Sequence, residues 1–228
     1  MLSLYTAIGY LKFEKGTNDK PMPMVVNNNQ EYGVSDHELL VWSSLAFQIL
    51  QIDELEAEYN RRLQLTCLPG GLAFSHYLNR LLLRGLIAKG EGMTGLDALY
   101  RLLGTLYIRP VKDTFSIRLF SCIHLYLEGK IKHSDFGRYL KKEKLTAIEE
   151  TILKLVEKIP LSVGELLASV EKGVSISSEK DVMDRLYQDP EVTYQSLAEE
   201  AQVHHIQLPV MQAVGNLYLS KQISFQTF

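Results

Sequence analysis

Four helix-start signals constrain the fold of this 228-residue chain more than any other feature. In each, a Ser or Thr stands three residues before an acidic residue, so the two side chains can cap each other's backbone N–H groups. Such signals, spread along the chain, predict a mainly helical protein. The four pairs are Ser35 with Glu38, Thr94 with Asp97, Thr146 with Glu149, and Ser162 with Glu165.

Short extended segments interrupt these helices. β-branched and aromatic residues beside turn residues predict strands at 86–89, 105–111 and 223–228. Residues 3–13 alternate only weakly and fit a short strand or a short helix. Between Lys15 and Tyr32, prolines, a glycine and three consecutive asparagines favour turns, so we expect a loop or flexible arm. The predicted class is mainly α with short β strands.

The net charge of −3 conceals a strong asymmetry along the chain. Residues 1–69 carry 5 Lys/Arg and 9 Asp/Glu, residues 70–145 carry 13 and 6, and residues 146–228 carry 6 and 12. The basic middle predicts an anion-binding surface, although a solvated helix face explains it as well. With 46% hydrophobic residues the chain is too apolar for wholesale disorder, and its length favours two domains.

The C-terminal segment has a distinctive order of elements. Pro190 ends one helix, Thr193 can cap the next, a turn follows at 203–205, and a helix with an apolar stripe starts at Ile206. Residues 223–225 then alternate as a half-buried strand does. With a further helix at 178–188, this order resembles the winged helix-turn-helix superfamily over about fifty residues. An unrelated helical bundle is the alternative.

A second copy of this pattern is predicted nearer the N-terminus, with helices at 41–50, 54–63 and 72–86 around a Pro-Gly-Gly break. Helical spacing puts five apolar residues of the last helix on its inward face and His76, Asn79 and Arg80 on its outward face. The resemblance implies that such a helix enters the major groove of DNA, where Asn pairs with adenine and Arg with guanine. His76, Asn79 and Arg80 are therefore the candidate base readers, with Ser75 and Arg84 nearer the phosphates.

The wing of this first copy is less regular. Gly90-Glu91-Gly92 is predicted to turn the chain, and a helix at 94–103 separates the two strands of the wing. Further phosphate contacts are predicted along the basic middle region, where a solvated linker helix remains the alternative. These predicted contacts are Lys89, Arg109, Lys112, Lys141 and Lys142.

The C-terminal copy has no Lys or Arg among its predicted outward positions and lies in an acidic segment. We therefore expect it to bind a protein or a second copy of the chain, with Leu208 and Leu219 exposed. The predicted divisions are an N-terminal segment and loop, a first winged-helix-like domain, a basic helical linker and a second winged-helix-like domain. Their boundaries are 1–33, 34–112, 113–145 and 146–228.

Several kinds of site are not predicted. The sequence has no phosphate-binding glycine motif, nucleophile elbow or zinc-protease pair, so we expect no catalytic residue, cofactor or metal. His204 and His205 are adjacent and would point apart on a helix. Without a secretory signal or a long apolar run, the chain is expected in the cytoplasm, without membrane contact, and Cys67 and Cys122 as free thiols.

These observations predict a DNA-binding protein, either a transcriptional regulator or a replication initiator, that reads double-stranded DNA with its first helix-turn-helix. Reading a palindromic site would require a dimer. The alternative is an adaptor without enzymatic activity whose winged-helix units bind protein. In that respect it would be similar to the acidic tandem winged-helix subunits of chromosome-organising complexes.

Overall fold

The computed structural model describes residues 1–15, 21–66, 68–111, 119, 122–123, 125–126, 129, 131–132, 134, 136–140 and 144–227. Its strands are β1 (Leu2–Ala7), β2 (Tyr10–Lys15), β3 (Pro21–Asn27), β4 (Gln30–Gly33), β5 (Leu50–Gln51), β6 (Ile87–Gly92), β7 (Tyr107–Pro110), β8 (Leu161–Ser162) and β9 (Ile223–Gln226). Its helices are α1 (Asp36–Leu45), α2 (Ile52–Thr66), α3 (Phe74–Leu83), α4 (Gly95–Leu103), α5 (Phe136–Leu140), α6 (Ala147–Val156), α7 (Val163–Glu171), α8 (Glu179–Leu186), α9 (Tyr194–His204) and α10 (Leu208–Leu219).

The fold combines these helices with small antiparallel sheets, so it is a mixed α and β protein. The strands of the described residues form three sheets, in the orders β5-β1-β6, β2-β3-β4 and β8-β7-β9. Helices also begin where the four capping signals predict them. Each of the four pairs forms a reciprocal capping box, at the starts of α1, α4, α6 and α7.

For residues 21–32 the expectation of a loop between Lys15 and Tyr32 is wrong, because β3 and β4 form a hairpin there, while residues 16–20 lie outside the described part of the chain. Its two-residue loop is Asn28-Asn29, with φ angles of 48° and 59°, and asparagine tolerates this left-handed conformation better than most residues. β4 pairs with β3 only at residues 24–27, so Pro21 and Pro23 have no β4 residue opposite them. Proline fits such a stretch because no neighbouring strand requires its missing N–H on that side.

The sheet β5-β1-β6 lies between two hydrophobic cores. β1 is its central strand and pairs with β6 from Leu2 opposite Gly92 to Ala7 opposite Ile87. Tyr5 and Ala7 belong to the core formed with α1, α2 and α3. The alternate residue Leu4 packs against the other core, to which α4, α6, α7 and α10 contribute. The first strand of the chain is therefore the central strand of the sheet against which α1, α2 and α3 pack.

Helix α4 lies against β6, and this corrects the prediction of a turn at Gly90-Glu91-Gly92. These three residues continue the strand. A Cβ atom at Gly90 would overlap the carbonyl oxygen of Ala98 and the backbone of Leu102, so glycine permits close packing of α4 on the strand. The signal that predicts a turn instead marks the close approach of a helix.

The strand predicted at 105–111 forms as β7, but it pairs with β8 and β9. It does not pair with β6, so the two predicted strands of the first wing lie in different sheets. The C-terminal strand β9 takes the edge position beside β7, and its Phe225 carbonyl accepts a hydrogen bond from Gly9 N–H. The C-terminal strand thereby contacts the β1–β2 turn.

The predicted C-terminal pair of helices is present as α9 and α10. α10 begins at Leu208 rather than Ile206, because His205 and Gln207 have φ angles of 46° and 52° and lie outside helical geometry. The prediction that Leu208 is exposed is wrong, since it is half-buried and packs against the main core. Leu219 is exposed, with 53% of its surface accessible.

A buried hydroxyl joins α10 to the N-terminal half of the chain. Tyr218 Oη accepts hydrogen bonds from Thr6 Oγ1 at 2.7 Å and Phe47 N–H at 3.1 Å, and it lies 3.2 Å from the carbonyl oxygen of Leu45. Burial raises the pKa of Tyr218 to about 12. The hydroxyl therefore stays protonated over the physiological pH range and can donate to the Leu45 carbonyl.

Candidate binding surface

The predicted outward face of α3 is on the protein surface. Ser75, His76, Asn79 and Arg80 are all exposed, while Arg84, at the end of the helix, is half-buried. The predicted inward face packs against the core formed with α1, α2 and sheet β5-β1-β6. It consists of Phe74, Tyr77, Leu78 and Leu81, which are buried, and Leu82, which is half-buried.

Contacts to the segment before α3 position the start of the helix. Tyr77 Oη accepts a hydrogen bond from Leu72 N–H at 2.8 Å, and the Tyr77 ring stacks on His37 with ring centroids 4.9 Å apart. His37 Nε2 lies 3.1 Å from the Pro69 carbonyl oxygen, and its Nδ1 lies 2.9 Å from Tyr59 Oη. Residues of α1, α2 and α3 thus hold the connection into α3 in place.

A buried glutamate organises the basic end of the α3 face. Glu38 Oε2 accepts hydrogen bonds from the backbone N–H and hydroxyl of Ser35, at 2.8 and 3.0 Å. The other oxygen, Oε1, lies 3.3 Å from Arg80 Nε and 3.4 Å from Arg84 Nη1. Because the Glu38 side chain is only 2% exposed, its charge is buried and both arginines help to compensate it.

Arg84 is held more firmly than Arg80. Its Nη2 donates to the Gly33 carbonyl at 2.6 Å, and its guanidinium lies over the Tyr32 ring, 5.6 Å from the centroid. The Arg84 side chain is 25% exposed, against 52% for Arg80. Arg84 therefore connects α3 to β4, while Arg80 projects further into solvent.

Two of the other predicted phosphate contacts have partners within the chain, and three lie outside the described residues. Lys89, on β6, forms an ion pair with Glu91 at 2.7 Å, and this hydrogen bond raises the pKa of Lys89. Arg109, on β7 in a different sheet, lies over the Tyr10 ring at 4.9 Å from its centroid. Lys112, Lys141 and Lys142 lie outside the described residues, so the structure does not place them on the α3 face.

Sequence reasoning missed two features of this surface. Helical spacing puts Leu83 on the same face as His76, Asn79 and Arg80, and its side chain is 88% exposed. Glu38 was recognised as a capping residue, but its second role as the partner of two arginines was not. Spacing along α3 is enough to find Leu83, whereas the Glu38 contacts depend on the packing of α1 against α3.

The part of the sequence that contains α3 and its sheet carries a slight negative net charge. Residues 1–92, which contain this helix and its sheet, carry 8 Lys/Arg and 10 Asp/Glu, a net charge of −2. α3 itself has a single cation, Arg80. Arg61 and Arg62 of the neighbouring α2 both form ion pairs with Glu58. This balance gives a polyanion little long-range attraction.

Residues predicted to be outward in the C-terminal helices also have partners within the chain. His205 Nε2 lies 3.4 Å from Asp97 Oδ1, and Asn216 Nδ2 donates to Glu149 Oε1 at 3.3 Å. Among the residues that the structure describes, no three His, Cys, Asp or Glu side chains are placed to hold a metal ion. Nor does this part of the chain contain a helix long and apolar enough to cross a membrane.

No protein-family model, curated protein or solved structure matches this chain. The fold and the α3 face are therefore the basis for assigning a function.

Proposed function

We propose that this chain is a protein-binding adaptor without enzymatic activity, and that the exposed face of α3 is its contact surface. The observation that carries the proposal is the composition of this face: Leu83 is 88% exposed beside Arg80 and the polar residues Asn79 and His76. An exposed leucine on a well-packed helix, next to an arginine, suits the apolar centre and polar surroundings of a protein interface.

The contacts that the predicted phosphate-binding residues make within the chain also support a protein partner. Arg84, Lys89 and Arg109 interact with side chains of the chain itself, whereas Arg80, which also approaches Glu38, keeps 52% of its side chain exposed. Binding of duplex DNA draws much of its affinity from cations that replace counterions at phosphates. Cations already engaged by carboxylates or an aromatic ring contribute less to this effect.

The winged-helix resemblance supports a role in binding rather than catalysis. α1, α2, α3 and β6 follow the order of three helices and a strand in that pattern. The departure is in the sheet, where β1 supplies the strand beside β6 and α4 follows β6 in place of a simple wing. Helix α3 keeps the exposed position of a second helix in a helix-turn-helix, where both nucleic acids and proteins are bound.

The proposal is tested by purifying the tagged full-length chain from its source cells and measuring the proteins that accompany it. We expect the Leu83→Asp substitution to remove a specific set of proteins that the wild-type chain retains. Met183→Asp is the matched control, because Met183 is also an exposed apolar residue of a helix, at 60%. The proposal fails if L83D and M183D retain the same proteins as the wild type.

A second candidate function is sequence-specific DNA binding, which the exposed positions of His76, Asn79 and Arg80 favour. A salt titration of binding to random duplex DNA separates the two functions. For an adaptor the log–log slope is near zero, whereas a protein that makes several phosphate contacts gives a slope of about −0.9 per contact. A steep slope that Arg80→Gln reduces by about one would favour DNA over the adaptor.

A further inference from the structure

The structure assigns a carboxylate-binding role to the Arg80–Arg84 pair: we infer that it receives an Asp or Glu side chain of the protein partner, next to an apolar residue that covers Leu83. This inference rests on the proposed function and specifies the chemistry of the partner. It is carried by the geometry of Glu38, Arg80 and Arg84 together with the exposure of Leu83.

Two guanidinium groups share one buried carboxylate oxygen. Both Arg80 and Arg84 approach Glu38 Oε1, while Glu38 Oε2 is occupied by Ser35. Two positive charges therefore meet one negative charge, which leaves a local charge of about +1. This positive position lies within a unit whose net charge is −2.

Arg80 has the geometry to accept a second carboxylate. Its contact with Glu38 is through Nε at 3.3 Å, and 52% of the Arg80 side chain remains exposed to a ligand. A guanidinium binds carboxylates through parallel N–H donors, and Arg84, fixed by Gly33 and Glu38, adds a second charge nearby. Positioning by Glu38 reduces the side-chain entropy that Arg80 loses on binding.

Charge and exposure together favour a single carboxylate of a protein over a polyanion. A net charge of −2 over residues 1–92 gives an extended chain of phosphates no long-range attraction, which would act over about a Debye length. A single carboxylate responds mainly to the local Arg80–Arg84 pair. Leu83 lies three residues after Arg80, within reach of a ligand on the same helical face. The expected recognition element is an acidic side chain beside an apolar one.

The test uses zero-length carbodiimide coupling, which joins a lysine amine to a carboxylate in direct contact. In the full-length Arg80→Lys variant, purified with its bound partner, we expect an intermolecular amide between position 80 and an Asp or Glu of the partner. Arg185→Lys, an exposed substitution on α8, is the matched control and is expected to give no such cross-link. An amide formed within the chain, between position 80 and Glu38, is distinguished by its mass because it contains no peptide of the partner.

Charge reversal provides a second measurement that does not depend on cross-linking. We expect Arg80→Glu to lower retention of the partner at least about tenfold, because it places a like charge opposite the partner's carboxylate, with Arg185→Glu unchanged. Thermal unfolding of R80E checks that the chain remains folded. If the partner is lost with L83D but retained with R80E, and R80K gives no intermolecular cross-link, the inference is overturned while the adaptor function stands. If L83D itself retains the partner, the proposed function fails.

Discussion

At the scale of single residues, the Tyr218 hydroxyl connects the N-terminal and C-terminal segments. It links Thr6 of β1, the turn after α1 and α10 through three hydrogen bonds. We predict that Tyr218→Phe lowers the free energy of unfolding by about 1–3 kcal/mol, because the Thr6 hydroxyl, the Phe47 N–H and the Leu45 carbonyl lose a buried hydrogen-bond partner. Urea denaturation measures this. The half-exposed Tyr10→Phe serves as control, and an equal change in both variants would contradict the account.

The raised pKa of Tyr218 adds a pH dependence to this contact. Its pKa is about 12 in the folded chain, against 10.0 ordinarily, so between these values the unfolded chain releases a proton that the folded chain retains. Stability therefore falls as the pH rises from about 10 to about 12. We expect a smaller fall for Tyr218→Phe in urea titrations at pH 9 and pH 11. An identical fall in the variant would show that other groups account for it.

At the scale of elements, α4 depends on glycine for its position on β6. A methyl group at Gly90 meets backbone atoms of Ala98 and Leu102, which cannot rotate away. We predict that Gly90→Ala costs about 1–3 kcal/mol or more, the usual result of overpacking. In Gly215→Ala the new methyl group meets no atom within 4 Å and lies within α10, so stability is expected to rise by about 0.5–1 kcal/mol. Thermal unfolding of the two variants gives the comparison; a stable G90A protein would contradict the packing.

The ion pairs of α2 give a second prediction at this scale. Hydrogen bonds from Arg61 and Arg62 lower the pKa of Glu58 to about 2. A lowered carboxyl pKa contributes stability above the ordinary value near 4.5, and this contribution is lost as the pH falls towards 2. We expect Glu58→Gln to cost up to about 1 kcal/mol at pH 7 and almost nothing at pH 2. Glu56→Gln, at an exposed position of α2, is the control in urea denaturation.

Local signals in the sequence are enough to predict several helix starts. Capping pairs such as Ser35 with Glu38 act over three residues, and they predict α1, α4, α6 and α7. The exposed face of α3 also follows from spacing alone. The hairpin of β3 and β4 does not follow from composition, because consecutive asparagines favour irregular backbone as well as the two left-handed residues of a tight hairpin loop.

At the scale of the whole molecule, local sequence patterns do not predict which distant strands pair. β1 pairs with β6 across 80 to 90 residues, and β7 with β9 across more than one hundred. Sequence periodicity says which face of a strand is buried but not which strand lies beside it. The same limit applies to Glu38 and Arg84, which are 46 residues apart and meet only after α1 packs against α3.

The central claim is that the α3 face binds protein, and site-specific photo-cross-linking in the source cells tests it most directly. A photoreactive residue placed at Leu83, and in a second variant at Met183, reports what touches each exposed position. The account predicts cross-links from position 83 to a defined protein and none to that protein from position 183. Cross-links from position 83 to DNA, or no protein cross-link specific to position 83, would contradict it.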